Sequence, residues 1–425
     1  MKILKRVACP HCWHNFPPEK ILWVSEHNDL LGDTKLGEDS QQRFLPTRFS
    51  VMGEAIDSRG FPCHNLACPK CHLIIPRPLL EMEPLFFSIF GAPASGKSYF
   101  LAAMTWELRR ILPMYFNLSF SDADPSMNQV LDEYKDALFS NPNPDSLVPL
   151  SSLIRKTEEQ GDMYDLVSYG SQTVSYPRPF LFCLKPELGH RNAEQTGRLG
   201  KTICLYDNAG ESFQPGKDST SSPVTRHMAH SRALFFVFDP TQDNRFREHI
   251  DLPTSNSISR TMRQEPILQE AAFRIRRYAG LGNSEKHSKP LIVILTKCDT
   301  WIHLLNEDTF PDAWVSITRS GSGDGDPESE LNVLNLDSIS RRSALCRQLL
   351  LQLCPEIVTA AESFASEVYY IPASAVGWDT EEDPESGMVG IRPSKAEPYW
   401  ATVPFLFGLA KTSSGLISKA VKRTR

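Results

Sequence analysis

Eight residues constrain this chain more than any others: Gly91-Ala92-Pro93-Ala94-Ser95-Gly96-Lys97-Ser98, which fit G-x-x-x-x-G-K-[ST]. The apolar run Leu85 to Phe90 precedes them, and Ser98 to Leu112 follows with helical spacing, expected to stop at Pro113. A strand that turns through glycines into a helix can wrap its N–H groups around phosphate oxygens. In such a loop Lys97 would reach the β- and γ-phosphates and the Ser98 hydroxyl would ligate Mg²⁺. Gly91, Ala94, Ser95, Gly96 and Tyr99 would line the same nucleotide. The bland alternative is a chance glycine turn, which the flanking strand and helix argue against.

The rest of the chain continues the alternation of strand and helix. Phe180 to Leu184, Thr202 to Tyr206, Ala233 to Phe238, Leu291 to Leu295 and Val368 to Ile371 read as short buried strands. The segment 187–200 between the first two reads as a hairpin loop. Ile267 to Tyr278, Ser343 to Phe364 and Val403 to Ile417 read as helices. This alternation predicts an α/β fold, a mostly parallel sheet with helices on both faces. Polar insertions are expected near 141–176 and near 318–340, the second carrying SGSGDGDPESE. The 425 residues leave room for two to three domains, and 41% hydrophobic content is ordinary for a globular chain.

The formal net charge of -6 disfavours bulk nucleic-acid binding. No apolar run approaches the roughly 18 residues of a membrane span. The start, MKILKRVACPHC, lacks an apolar h-region. A cytoplasmic protein is expected, with its ten cysteines as thiols or metal ligands. The basic end, Lys419 to Arg425, reads as a solvated tail.

Three further elements follow the glycine loop in order. Asp207-Asn208-Ala209-Gly210-Glu211 ends an apolar strand, where Asp207 can support Mg²⁺ and the Gly210 N–H can meet a γ-phosphate. Thr296-Lys297-Cys298-Asp299 ends another, and a carboxylate there can accept from the guanine N1–H and N2–H₂ edge. Adenine has no such donor pair, so a buried carboxylate would reject it. Pro372-Ala373-Ser374-Ala375-Val376-Gly377 ends a third, placing Ser374 and the Ala375 N–H near the base. Each motif alone matches ordinary turns after strands.

Taken together, GAPASGKS, DNAGE, TKCD and SAVG resemble the G1, G3, G4 and G5 boxes of Ras-like and translation-factor-related P-loop GTPases, over about Leu85 to Ile417. LYDNAGE, ALFFVFDP and PYWATVPFLFGLA look more specifically like the bacterial double-GTPase group of multi-gene conflict systems. The resemblance implies GTP/GDP and Mg²⁺ as ligands, with catalytic roles for Lys97, Gly210 and Glu211 and a second GTPase or effector as partner. Thr296, Lys297 and Asp299 would form the guanine side. Two departures stand out. Glu211 occupies the place of a water-orienting glutamine, so intrinsic hydrolysis is expected to be slow without a partner. No switch threonine is obvious, Thr173 being the nearest candidate. Arg178, Arg226 and Arg232 lie where a charge-stabilising arginine could sit, although each also reads as a surface residue.

Half of the cysteines fall in the first 71 residues: Cys9, Cys12, Cys63, Cys68 and Cys71. Cys9-Pro-His-Cys12 and Cys68-Pro-Lys-Cys71 form two C-x-x-C knuckles that could hold one structural Zn²⁺. Cys63, His11, His14, His64 and His72 are spare donors nearby. Ile21 to Val24 and Phe49 to Met52 are expected to supply ribbon strands. A redox pair is the alternative, but no thioredoxin-type βαβ pattern surrounds either knuckle. The expected division is a zinc-ribbon-like module over 1–80 and a nucleotide-binding domain over 85–417. The expected function is Mg²⁺-dependent GTP hydrolysis as a switch; a non-hydrolysing GTP-bound scaffold and an ATPase are the alternatives.

Overall fold

A computed structural model describes residues 3–149, 163–208, 210–213, 226–250, 262–282, 284–305, 312–319, 329–377, 380–382 and 389–419. Seven strands form its central sheet: β1 (Glu83–Gly91), β2 (Leu118–Asp122), β3 (Phe180–Pro186), β4 (Lys201–Asp207), β5 (Ala233–Phe238), β6 (Leu291–Leu295) and β7 (Val368–Pro372). Their spatial order is β2-β3-β4-β1-β5-β6-β7. β4, β1, β5, β6 and β7 are parallel, whereas β3 opposes β4 and β2 opposes β3.

The near-continuous apolar strands are explained by burial on both faces. Alternate residues Phe87, Ile89, Phe235, Val237 and Ile292 pack against α1 (Lys97–Phe116), α2 (Pro125–Phe139) and α6 (Val403–Thr412). Their neighbours Phe90, Leu234, Phe236, Leu291 and Val293 face α3 (Glu265–Ala279), the second half of α4 (Leu336–Leu353) and α5 (Pro355–Phe364). Each large side chain so buried contributes about 1.5–3 kcal/mol before chain entropy is charged against it.

Several elements differ from the sequence expectation. Helix α1 runs past Pro113, which sits in its last turns, and ends where Asn117 adopts φ 50°. A proline this close to the end forfeits one hydrogen bond without breaking the helix. The single helix expected over Ser343 to Phe364 is two, α4 and α5, divided at Cys354 (φ -138°, ψ 59°) because Pro355 disfavours helical geometry in the residue before it. The last helix stops at Thr412, short of Ile417. The segment 118–139, unassigned from sequence, holds β2 and α2, whose N-cap Asp124 accepts from the Ser126 N–H. Phe49 to Met52 is not a strand: Phe49 makes a lone bridge to Ala55, and Ser50 to Gly53 form a turn. The polar insertion near 141–176 contains a regular hairpin, Tyr164–Tyr169 paired with Gln172–Pro177, and the one near 318–340 is framed by Trp314–Arg319 paired with Ser329–Leu334. Residues 150–162, 320–328 and 420–425 of the two insertions and the basic tail lie outside the described residues.

The N-terminal region packs around its own apolar core of Val7, Phe16, Ile21, Trp23, Leu66, Leu73 and Ile75. Leu22–Val24 is a strand there, as expected, between Arg43–Phe44 and Leu66–Ala67. The core is completed from outside: Val167, Val174 and Tyr176 of the hairpin belong to it. The Ser168 N–H donates to the Lys35 carbonyl at 2.8 Å, and the Lys35 ammonium lies 5.2 Å from the Tyr169 ring centroid.

Candidate functional site

The glycine loop leaves the carboxyl end of β1 and enters α1 on one face of the sheet, whereas the segments after its two neighbours, β4 and β5, pack on the other face. Crevices at such a switch point are where open parallel sheets bind ligands. Gly91 is pressed against β5: a Cβ there would lie 2.3 Å from the Val237 carbonyl oxygen. Gly96 caps α1 with φ 87° and Ala94 takes φ 58°, so the loop N–H groups curl before the helix begins. The Lys97 ammonium is buried and donates to the Gly91 and Ala92 carbonyls at 3.2 and 2.7 Å. Ser95 is buried, and its Oγ has no hydrogen-bond partner. Tyr99 is half-buried against the α1 core, and burial raises its phenol.

Asp207 and Gly210 reach this loop from the end of β4. The Ser98 hydroxyl donates to Asp207 Oδ2 at 3.0 Å. Two oxygens at that separation match the edge of a Mg²⁺ octahedron, about 2.9 Å for ligands at 2.0–2.1 Å. A Cβ on Gly210 would meet the Pro93 nitrogen at 2.5 Å, so only glycine fits between this turn and the loop. The Glu211 side chain and Ala209 lie outside the described residues.

The TKCD and SAVG residues are brought together by the ends of β5, β6 and β7. The Thr296 hydroxyl donates to the Ser95 carbonyl at 3.0 Å, tying TKCD to the glycine loop. Lys297 adopts φ 52°, and its ammonium donates to Asp239 Oδ2 at 2.6 Å and to Thr241 Oγ1 at 3.2 Å. The Cys298 N–H donates to the Ala373 carbonyl at 3.2 Å. Burial pushes the Asp299 carboxyl above the usual range, and the nearby Ser374 side chain partly offsets that shift. Its Oδ1 is inaccessible to water and has no hydrogen-bond partner. Ser374 Oγ also accepts from the Gly377 N–H at 2.9 Å, shaping the turn around half-buried Ala375.

Other participants were missed in the sequence. Asp239, after the β5 run, fixes Lys297 and is itself bracketed by Gln264: the Asp239 N–H donates to Gln264 Oε1 at 2.9 Å and Gln264 Nε2 to the Asp239 carbonyl at 2.7 Å. Gln242 Nε2 donates to the Pro93 carbonyl at 3.1 Å. The Asp-Pro-Thr-Gln run at the end of an apolar strand was the available signal. Two arginine candidates sit elsewhere. Arg178 pairs with Asp165 in the hairpin, its Nε donating at 2.8 Å. Arg232 pairs with Glu83 at 2.9 Å, at the start of β1 and so at the opposite end of the sheet from the loop. Arg226 is exposed. Thr173 is exposed in the hairpin beside its turn, on the element that packs against the cysteine region.

Cys9, Cys12, Cys68 and Cys71 are buried, with all four sulfurs within 4.8 Å of one another. The Cys9–Cys71 and Cys12–Cys68 separations are both 3.7 Å. A tetrahedron with Zn–S bonds of 2.3 Å has edges of about 3.8 Å. The two knuckles also repeat one geometry. The N–H groups of His11 and Lys70 donate to the Cys9 and Cys68 sulfurs at 3.4 and 3.3 Å. Trp13 and His72, just after each knuckle, take φ 56° and 64°. Among the described residues no spare donor joins the cluster: the Cys63 thiol donates to the Phe61 carbonyl, His11 Nε2 meets the Ile74 carbonyl, and His72 Nδ1 meets Asp33. The set could hold a closed tetrahedral ion such as zinc.

No family model matches the chain. It is 26% identical over 269 residues to SaeC of Mycolicibacterium smegmatis, a proposed ESX-1 scaffolding and assembly protein. That match covers 59% of this chain and spans 62% of the relative's length. Among solved structures, it is similar to the GTP-bound Ski7 GTPase-like domain of S. cerevisiae, with 16% identity and a TM-score of 0.28 over 69% of this chain and 43% of that one. The mixed α/β fold rests on the strand order above.

Proposed function

We propose that this chain is a Mg²⁺-dependent guanine-nucleotide-binding protein that hydrolyses GTP to GDP and phosphate as a switch, beside a second GTPase or effector in a bacterial multi-gene system. The observation that carries the guanine reading is the orphaned, buried Asp299 Oδ1, which lies where TKCD and Ser374 meet. A buried acceptor without a donor costs about 1–3 kcal/mol, which a ligand with an N–H pair would recover. The glycine loop, with Lys97, Ser95 and the α1 N-terminus, takes the phosphates. Ser98 and Asp207 would hold a Mg²⁺ ion, which when bound would neutralise phosphate charge. Gly210 brings its N–H against the loop. Residues 85–417 form this nucleotide unit, and residues 1–80 a module held by Zn²⁺ at Cys9, Cys12, Cys68 and Cys71.

The test is affinity for GTP and GDP against ATP by calorimetry. The guanine nucleotides should bind at least about a hundredfold tighter, as a site built on a buried hydrogen-bonding group demands. Equal affinity for ATP would remove the guanine assignment. Asp299→Asn should erase most of that preference with an unchanged melting temperature. The pH dependence has a definite sign. Burial raises the Asp299 carboxyl, and the bound base requires it ionised. Guanine affinity should therefore weaken on acidification at a higher pH than an exposed aspartate would give, and be full above it.

A second reading has one specific support: the curated relative is described by scaffolding and assembly. In that reading the chain stays GTP-bound and Glu211 contributes little to water activation. Single-turnover hydrolysis separates the two. Hydrolysis that is accelerated by a second GTPase from the same source favours the switch, and none under either condition favours the scaffold.

A further inference from the structure

Tyr206, immediately before Asp207, lies with Leu181 and Cys204 in a small core that Met127 of α2 covers on one side. The cysteine module covers it, and does so through polar atoms. The Tyr206 hydroxyl donates to the carbonyl of Pro10, inside the first knuckle, and accepts from Trp13 Nε1 at 3.2 Å. Trp13, the residue after Cys12, also stacks on His227 at 5.9 Å between centroids and 25° between planes. The His227 ring is 4.2 Å from that of Tyr206 and is fully buried. Its Nε2 lies 3.2 Å from Nδ2 of Asn208, immediately after Asp207. Asn208 Nδ2 donates in turn to the Ile89 carbonyl at 2.8 Å, two residues before Gly91. Both neighbours of Asp207 are thus held by groups anchored on the first knuckle.

We propose that His227 is a positioning residue for the Asp207–Gly210 turn, and that Trp13 makes its place depend on the four-cysteine site, so that metal and guanine nucleotide bind cooperatively. The inference rests on the nucleotide reading above. A metal ion fixes Cys9 and Cys12, and with them the Pro10 carbonyl and the Trp13 indole. Those groups hold Tyr206 and His227, which hold the backbone on either side of Asp207. Whatever stabilises this arrangement at one end stabilises it at the other, and coupling of this kind is reciprocal.

The experiment uses the full zinc-loaded chain. Zinc affinity is measured by equilibrium competition with a chromogenic chelator, with and without saturating Mg²⁺–GDP, and GDP affinity is measured before and after metal removal. Nucleotide should tighten zinc binding at least about fivefold, and metal removal should weaken GDP binding by the same factor, within the about 5–150-fold range of allosteric coupling. His227→Ala and Trp13→Leu should bring both factors close to one while zinc content stays near one per chain. His227→Gln, which keeps a polar partner for Asn208, serves if His227→Ala does not fold and should retain part of the coupling. GDP binding with no effect on zinc affinity overturns the inference alone. Full coupling in His227→Ala overturns the assigned route. No binding of either guanine nucleotide overturns the functional reading, and the inference with it.

Discussion

Cys68→Ser should empty the metal site: zinc content falls from about one per chain to near zero, and the first 80 residues lose their fold. All four sulfurs are buried, and each knuckle is wound around its first cysteine by an N–H···S bond. A structural zinc in a small module binds with an apparent about 10–16 kcal/mol near neutral pH. That is as large as the whole stability of a typical domain, about 5–15 kcal/mol. The region's strands are two to five residues long, and the four cysteines sit within the small apolar core that joins them. Metal analysis and limited proteolysis within residues 1–80 read the outcome. A full zinc complement in the variant would sink the four-sulfur assignment. The same site sets a pH direction. The ligands are thiolates, so protons compete with the metal for these sulfurs, and loading weakens as pH falls.

Lys97→Ala should abolish phosphate-dependent binding. The lysine loses its charge at the loop centre and the bonds that pin Gly91 and Ala92. Hydrogen bonds from a charged donor are worth about 1.5–3 kcal/mol each, so losing two to phosphate oxygens amounts to about 3 kcal/mol or more, over a hundredfold in Kd. Alanine is the best helix former, and position 97 is the first residue of α1, so the melting temperature should move by only a few degrees. Calorimetry with GDP reads the loss. Undiminished affinity would mean that the glycine loop does not take the phosphates.

The nucleotide loops were legible because each follows a doubly buried strand, and short apolar runs ending in Gly, Asp or Ser are local signals. The strands themselves emerged within about two residues of their observed ends. What escaped was one-sided or distant. The hairpin Tyr164–Pro177 reads as polar because Leu166 stands in solvent while Val167, Val174 and Tyr176 are buried. Helix α2 carried a readable start, Asp124-Pro125, and apolar Leu131, Tyr134 and Leu138 along one face, yet its mixed composition hid it. Asp239 was passed over because Asp-Pro after a strand is commonly only a turn. The Trp13–Tyr206 contact joins residues 193 apart, and no local pattern encodes such a pairing.

The borrowed hairpin has a consequence for the order of synthesis. The N-terminal core is closed by Val167, Val174 and Tyr176, which leave the ribosome long after Cys71. At about 5–20 residues per second, the nascent knuckles wait several seconds or more with part of their apolar core uncovered. Over that interval the emerging chain presents thiols together with bare Trp13, Phe16 and Val7 to whatever surrounds it. Early capture of the metal would shield the cysteines from oxidation while the covering hairpin is still being translated.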